Sequence, residues 1–368
     1  MEGHIKEASY SADWGDVYSF VQHMKDKAYQ DGRDLLLIDT GDLHDGTGLS
    51  DTTVPDGKIT DKIFNYLDHD LLSIGYPALQ PIANQRNHEL YVGAITKAVY
   101  KNFVPRYNGE RLSRTFLISG RYLTSNVNIT VNGTSLPIGS RYRKFQTPAN
   151  NYTILAFGVL FDFTGMRTLK RPLLTAGNDK FVSTCQPAHQ LINEPWFQSV
   201  LRDETHDVDL IVVLGHTPLR NTTGFEYDLV LSAIRHHLPT IPVQFFGGHT
   251  HIRDFRKFDN FAHGIESGRY LETLGWINMN LRPFSIGRRY IDNNVDSYMF
   301  HVGSRTMRQF ETEKGRAISE EIQMKVRPSS SHTNHSVKNK VLRISWVVSR
   351  KIIIYHALHI PLKITYLH

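Results

Sequence analysis

Four separated stretches of the chain carry side chains able to hold a hard metal ion. They are Asp42 in Gly-Asp-x-x-Asp, Asn87 and His88 in Asn-His-Glu, His216 in Gly-His-Thr, and His249 with His251 in Gly-His-x-His. Mixed carboxylate, amide and imidazole donors suit Zn, Mn, Fe or a similar divalent ion. Cys185 is the only cysteine, which excludes both a thiolate cluster and an internal disulfide. Two such ions about 3.5 to 4 Å apart share a bridging carboxylate and a bridging hydroxide that attacks phosphorus in line. Asp42 is the natural bridge for that chemistry. His88, next to Asn87, is placed to protonate the leaving oxygen or to stabilise the transition state. Taken singly each stretch has an ordinary structural reading, since Gly-Asp is a common turn and a lone Gly-His often ends a strand. Their order along the chain gives them joint meaning.

The elements that must position these residues are visible as apolar runs ending in polar loops. Residues 16–30 place Val17, Phe20, Val21, Met24 and Ala28 at helical spacing, with Gly32 as a stop signal. Residues 35–39 form a short apolar burst before the polar loop that holds Asp42. The same grammar returns at 209–214 before His216 and at 242–246 before His249. Buried strands with functional loops at their carboxyl ends are the expectation. Between them, residues 115–165 alternate short apolar runs with Asn, Gly, Pro and Thr turns, which predicts further strands. No internal repeat is present. The pattern reads as an α/β domain with sheets inside and helices outside.

The 368 residues can bury a substantial core, and no run of about 18 apolar residues suggests a membrane span. A pI near 9.2 points at first to nucleic acid. Eight of the 42 Lys and Arg, however, lie after Met324, where there is no Asp or Glu, so residues 1–324 carry 34 basic against 36 acidic groups. The basic balance belongs to the tail, and no nucleic-acid partner is expected. Sequons at Asn128, Asn132, Asn151, Asn221 and Asn334 favour a secreted or vacuolar glycoprotein. A chain translated from Met1 as written would instead stay in the cytoplasm, because its start has no apolar signal region.

Asp42, then Asn87-His88-Glu89, then His216, then His249-x-His251 reproduces the order of the calcineurin-like metallophosphoesterase signature. The chain resembles the 5'-nucleotidase-related members, particularly fungal secreted or vacuolar ones, over roughly residues 3–320. The most similar stretches are 36–49, 87–91 and 247–254. The resemblance implies a four-layer αββα sandwich and two divalent metal ions bridged by Asp42. Asn87, His216 and His249 would hold one metal and His251 the other, with His88 as the catalytic imidazole and Asp45 behind the ligands. It implies hydrolysis of a small-molecule phosphate monoester, nucleotides being the first expectation.

Four departures qualify the resemblance. The family's opening Asp-x-His strand would lie just upstream of residue 3, so the first strand is expected to be incomplete; His4 and Glu7 read as surface residues. Residues 76–86 interrupt the family's Ile-Gly-Asn-His-Glu loop and read as an insertion. Tyr91 stands where bacterial relatives carry an Asp that pairs with the catalytic His. Of the substrate-binding C-terminal domain, residues 298–324 resemble only the beginning. The expected organisation is a catalytic domain at 1–297, the start of a second domain at 298–324 and a basic tail at 325–368, for which a strand and an irregular end both remain open. The alternative to a hydrolase is a non-catalytic fragment that binds at most one metal or serves as an interaction surface.

Overall fold

Strand β1 (Leu35–Asp39) shows how the core is built: Leu36 and Ile38 face one apolar cluster while Leu35 and Leu37 face another. Alternate side chains on a strand point to opposite faces, so a strand covered on both faces reads as a continuous apolar run. The computed structural model describes residues 11–42, 59–75, 120–131, 133–162, 181–220, 225–326 and 351–356. Asp45, Asn87, His88, residues 76–86 and most of the tail lie outside them.

β1, β2 (Leu71–Ser73) and β3 (Tyr122–Leu123) run parallel. On the other edge of β1, β15 (Lys351–His356) pairs antiparallel to β1 and parallel to β13 (Thr273–Leu281). β14 (Phe284–Asp292) completes this six-stranded sheet. Of the tail for which the sequence left two readings open, residues 351–356 form β15. The second six-stranded sheet has the order β11 (Arg253–Lys257), β12 (Ala262–Ser267), β10 (Val243–Phe246), β9 (Leu210–Leu214), β7 (Thr153–Gly158), β6 (Tyr142–Gln146). Its four central strands are parallel and its two edges antiparallel. A small third sheet joins β5 (Thr134–Pro137), β4 (Val127–Val131) and β8 (Phe181–Cys185). The burial of Cys185 pushes its thiol up, and its Sγ lies 3.7 Å from the carbonyl oxygens of both Leu160 and Phe161.

The two large sheets pack face to face. Leu36, Ile38, Ile277 and Met279 of the first meet Ile154, Ala156, Leu210, Val212, Leu214 and Phe246 of the second. Helices cover the outer faces. Over the first sheet lie α1 (Trp14–Gln30), the short α2 (Thr60–Phe64), α6 (Val295–Val302), α7 (Met307–Phe310) and α8 (Glu313–Val326). Over the second lie the short α3 (Ala188–Leu191), α4 (Pro195–Asp203) and α5 (Glu226–His237). The order of layers is helix, sheet, sheet, helix, as expected from the sequence. Asp34, buried just before β1, clasps the sheets at one end. Its carboxylate accepts from Thr147 Oγ1 at 2.7 Å and from the backbone N–H of Ala149 at 2.8 Å, both in the turn between β6 and β7.

Helix α1 buries Val17, Phe20, Val21, Met24 and Ala28, the stripe its periodicity predicts. It starts earlier than expected because Asp13 and Asp16 form a reciprocal capping box, each carboxylate accepting from the other's backbone N–H. Phe20 stacks on Tyr298 of α6 at 4.4 Å, and Ser319 of α8 donates to Asp13 at 2.6 Å.

Burial raises the Asp16 carboxyl to about 6, partly offset by its hydrogen bond from Asp13 and reinforced by the nearby Asp13 and Glu311 charges. The native chain thus holds the extra proton between the ordinary value of 3.8 and about 6, and this group's contribution to stability declines as pH rises through that interval. We predict that Asp16→Asn leaves stability unchanged near pH 4 and raises it near pH 7. The gain should be about 1–2 kcal/mol after allowing for partial exposure to water. Denaturant melts at the two pH values test this; equal effects at both would contradict the assignment.

Candidate metal centre

The expected ligands sit at the carboxyl ends of β1, β9 and β10, where both sheets present their loops on one edge of the sandwich. After β1 the chain turns sharply. Asp39 Oδ1 accepts from the N–H of Gly41 at 2.9 Å, Gly41 has φ +87°, and Asp42 itself is left-handed at φ +69°. This hairpin crosses Gly75 at the end of β2 in direct backbone contact. A Cβ on Gly75 would stand 1.8 Å from the Asp42 nitrogen, and one on Gly41 would stand 2.4 Å from the Gly75 nitrogen. Only glycine fits at either position.

His216 follows β9 and Gly215, whose N–H donates to the Phe246 carbonyl at 3.0 Å. The His216 ring is 1% exposed and its Nε2 lies 3.2 Å from Asp42 Oδ2. His249 follows β10 with φ +80°, and its Nδ1 lies 3.2 Å from the same His216 nitrogen. Phe161, 4.1 Å away between ring centres, packs against His249. His251, left-handed at φ +63°, is exposed on the same loop and meets the Tyr270 ring edge-on at 6.3 Å.

Three contacts fix the two histidine loops to each other. The Gly248 N–H donates to the Thr217 carbonyl at 2.9 Å, and the Tyr227 hydroxyl of α5 lies between the strand ends, 2.8 Å from the Phe246 carbonyl and 3.4 Å from that of Gly215. Glu266, buried on β12, accepts from the Leu219 N–H at 2.7 Å through one oxygen and from Thr250 Oγ1 through the other. Its carboxylate spans the loops that carry His216 and His249. No motif marks Glu266; the only signal is an acidic residue inside the apolar strand Ala-His-Gly-Ile-Glu-Ser.

Donor atoms bound to one Zn-like ion at 2.0–2.2 Å stand about 3.0–3.5 Å apart. The Asp42–His216 and His216–His249 separations fall in that range, and the donor types suit a divalent ion. Among the described residues, no group of three or more His, Cys, Asp and Glu is placed to hold a metal ion. Asn87, His88 and Asp45 lie outside the described residues, so the structure brings together Asp42, His216 and His249 and leaves the rest of the set undescribed.

No family model matches the chain. It is 37% identical over 365 residues to a secreted protein of Arthroderma benhamiae, covering 88% of this chain and 49% of the relative. Uncharacterised proteins of Saccharomyces cerevisiae and Schizosaccharomyces pombe are 35% and 33% identical, over 87% and 88% of this chain and 50% and 52% of theirs. The chain spans about half the length of the curated relatives it matches. The crystal structure of a 5'-nucleotidase from Candida albicans superposes with a TM-score of 0.71 at 37% identity, covering 88% of this chain and 55% of that one. The fold is that of a 5'-nucleotidase-like α/β sandwich.

Two predictions follow from the packing of these loops. Gly75→Ala should displace Asp42 and weaken Mn²⁺ binding at least about tenfold, since metal affinity depends on ligand placement; calorimetric titration with unchanged affinity would contradict the close approach. Glu266→Gln removes one of two acceptor oxygens and should destabilise the chain by about 1–3 kcal/mol. A melting temperature equal to that of the parent would show that Glu266 is not the clasp.

Proposed function

We propose that the chain is the catalytic layer of a metal-dependent phosphoesterase that hydrolyses phosphate monoesters, with nucleoside monophosphates the first candidates. The observation that carries this reading is the convergence of Asp42, His216 and His249 at 3.2 Å separations on the edge of a fold shared with a 5'-nucleotidase. Asp42 would lie between two divalent ions, His216 and His249 would hold one of them together with Asn87, and His251 would serve the other. Bound ions would supply charge to the phosphoryl oxygens and an activated water for in-line attack.

The protein's own part is to fix the donors and to place a proton. The His216 and His249 imidazoles must be neutral to offer a lone pair to a metal ion. Burial of His216 keeps solvent from competing for its nitrogen. His88 would hand a proton to the leaving oxygen. The name of the Arthroderma relative and the sequons support an extracytosolic setting. Asn151 is exposed in the turn between β6 and β7, whereas Asn128 is half-buried on β4. No described helix is long and apolar enough to cross a membrane.

The test is metal stoichiometry by plasma mass spectrometry after dialysis against trace Mn²⁺ and Zn²⁺, together with phosphate release from an aryl phosphate and from a nucleoside monophosphate. Two ions per chain and steady release are expected. His88→Ala should cut the rate by about 10²–10⁴-fold without unfolding the protein. One ion or none, with no release, would replace this reading with that of a non-catalytic interaction domain.

A further inference from the structure

At the entry of β2 three cations converge on a single turn. The carbonyl of Asp68 accepts from Lys25 Nζ at 3.3 Å, that of His69 from Arg121 Nη1 at 2.9 Å, and that of Asp70 from Arg143 Nη1 at 2.8 Å. The turn itself supplies two carboxylates. Asp70 Oδ2 accepts from Lys25 Nζ at 2.9 Å and from the N–H of Leu37 at 2.8 Å, while Asp68 Oδ1 accepts from Arg121 Nη1 at 2.6 Å. Among the described residues, no carboxylate is hydrogen-bonded to Arg143.

The two arginines come from opposite sheets. Arg121 directly precedes β3 and Arg143 lies in β6, the edge strands on one side of the sandwich. Ser140 ties these edges together, its N–H donating to the Tyr122 carbonyl at 2.8 Å and its carbonyl accepting from the Thr124 N–H at 2.9 Å. A Cβ on Gly120 would stand 3.8 Å from Arg143 Cγ, so the Arg143 stem runs beside the residue that precedes Arg121. The Phe145 ring centre, 4.1 Å from Arg143 Cζ, supports the guanidinium from one face. Burial, and then the Arg121 charge, lower the Arg143 guanidinium to about 10, with Asp70 opposing. A cation held half-buried beside another is short of negative charge.

The hydrogen-bonding edge that these arginines leave unused is a specific one. Arg202, Arg220 and Arg235 each present the Nε–Nη2 edge to a carboxylate, Arg235 reaching Asp259 at 2.7 and 3.1 Å. Arg121 and Arg143 instead make their hydrogen bonds through Nη1, and no acceptor among the described residues meets their Nε–Nη2 edges. Such an edge matches two oxygens of a phosphate or sulfate.

We propose that Arg121 and Arg143, backed by Lys25, form a binding site for a tetrahedral oxyanion of the phosphate or sulfate class. It lies at the entry of β2, whereas Asp42 meets the chain at Gly75, beyond the exit of the same strand. The site goes beyond the hydrolase reading and does not depend on it. An anion held there offsets the excess positive charge and joins the edges of both sheets, so it stabilises the fold by mass action.

The test uses the full chain stripped of divalent ions by a chelator, so that no metal at Asp42 attracts the probe. Sulfate, titrated at constant ionic strength against chloride, should bind at one saturable site by calorimetry and raise the melting temperature. Arg143→Gln should weaken binding at least about tenfold, as the loss of a charge-assisted pair requires. Arg282→Gln, which removes an exposed arginine paired with Asp209, should leave it unmoved. No saturable binding, equal affinity in Arg143→Gln, or an equal loss in Arg282→Gln would overturn the site. Should Arg143→Gln fail to fold, selenate soaked into crystals of the parent chain decides the matter. An anomalous peak within hydrogen-bonding distance of both guanidiniums is expected, and its absence would overturn the proposal. Neither metal nor turnover enters these measurements, so their outcome stands apart from that of the hydrolase assays.

Discussion

Short side chains from three strand ends can meet only if the backbone turns abruptly as it leaves each strand, and that constraint organises the functional edge of this molecule. Among the described residues, Asp42, His249, His251, Tyr270 and Leu271 are five of the seven non-glycine positions with positive φ. The other two, Asn151 and Phe225, sit in a turn and at a helix start. Left-handed backbone redirects the chain within one residue, which a gradual loop cannot do. Glycine at 41, 75 and 215 supplies the remaining room, since any Cβ there would strike neighbouring backbone.

The centre also spans both large sheets, because Asp42 leaves the first while His216 and His249 leave the second. Its donor separations are therefore set by how the sheets pack. Leu36 and Ile38, interlocked with Val212, Leu214 and Phe246, fix that distance beneath the loops, and Asp34 fixes it at the opposite end. Close-packed interiors transmit small changes in volume, so core substitutions far from the ligands can reach them. The site is in this sense a property of the sandwich more than of its loops.

What could be read from the sequence divides along the same physical line. Helix α1 and strands β1, β9 and β10 were legible because burial imposes a period, and the structure places them within two residues of the expected bounds. The meeting of Asp42, His216 and His249 was legible because each follows an apolar strand directly, and strands that pack together bring their end loops to one edge. Glu266 was not, since its work is to accept from Leu219, 47 positions away. The fit of Gly75 against Asp42 was hidden for the same reason: one glycine in sequence gives no sign of which backbone it must admit. The Asp13–Asp16 box was visible in principle, as two acids three apart ahead of an apolar stripe, yet its first member lies just outside the periodic run.

Cys185 gives this edge of the molecule a built-in reporter. Its thiol is buried next to the Leu160 and Phe161 carbonyls, and Phe161 is the ring that packs on His249. A thiol held up by burial reacts only when water reaches it. The rate at which a thiol reagent labels the native chain would therefore time the transient opening of the wall behind His249, from the one cysteine in the sequence.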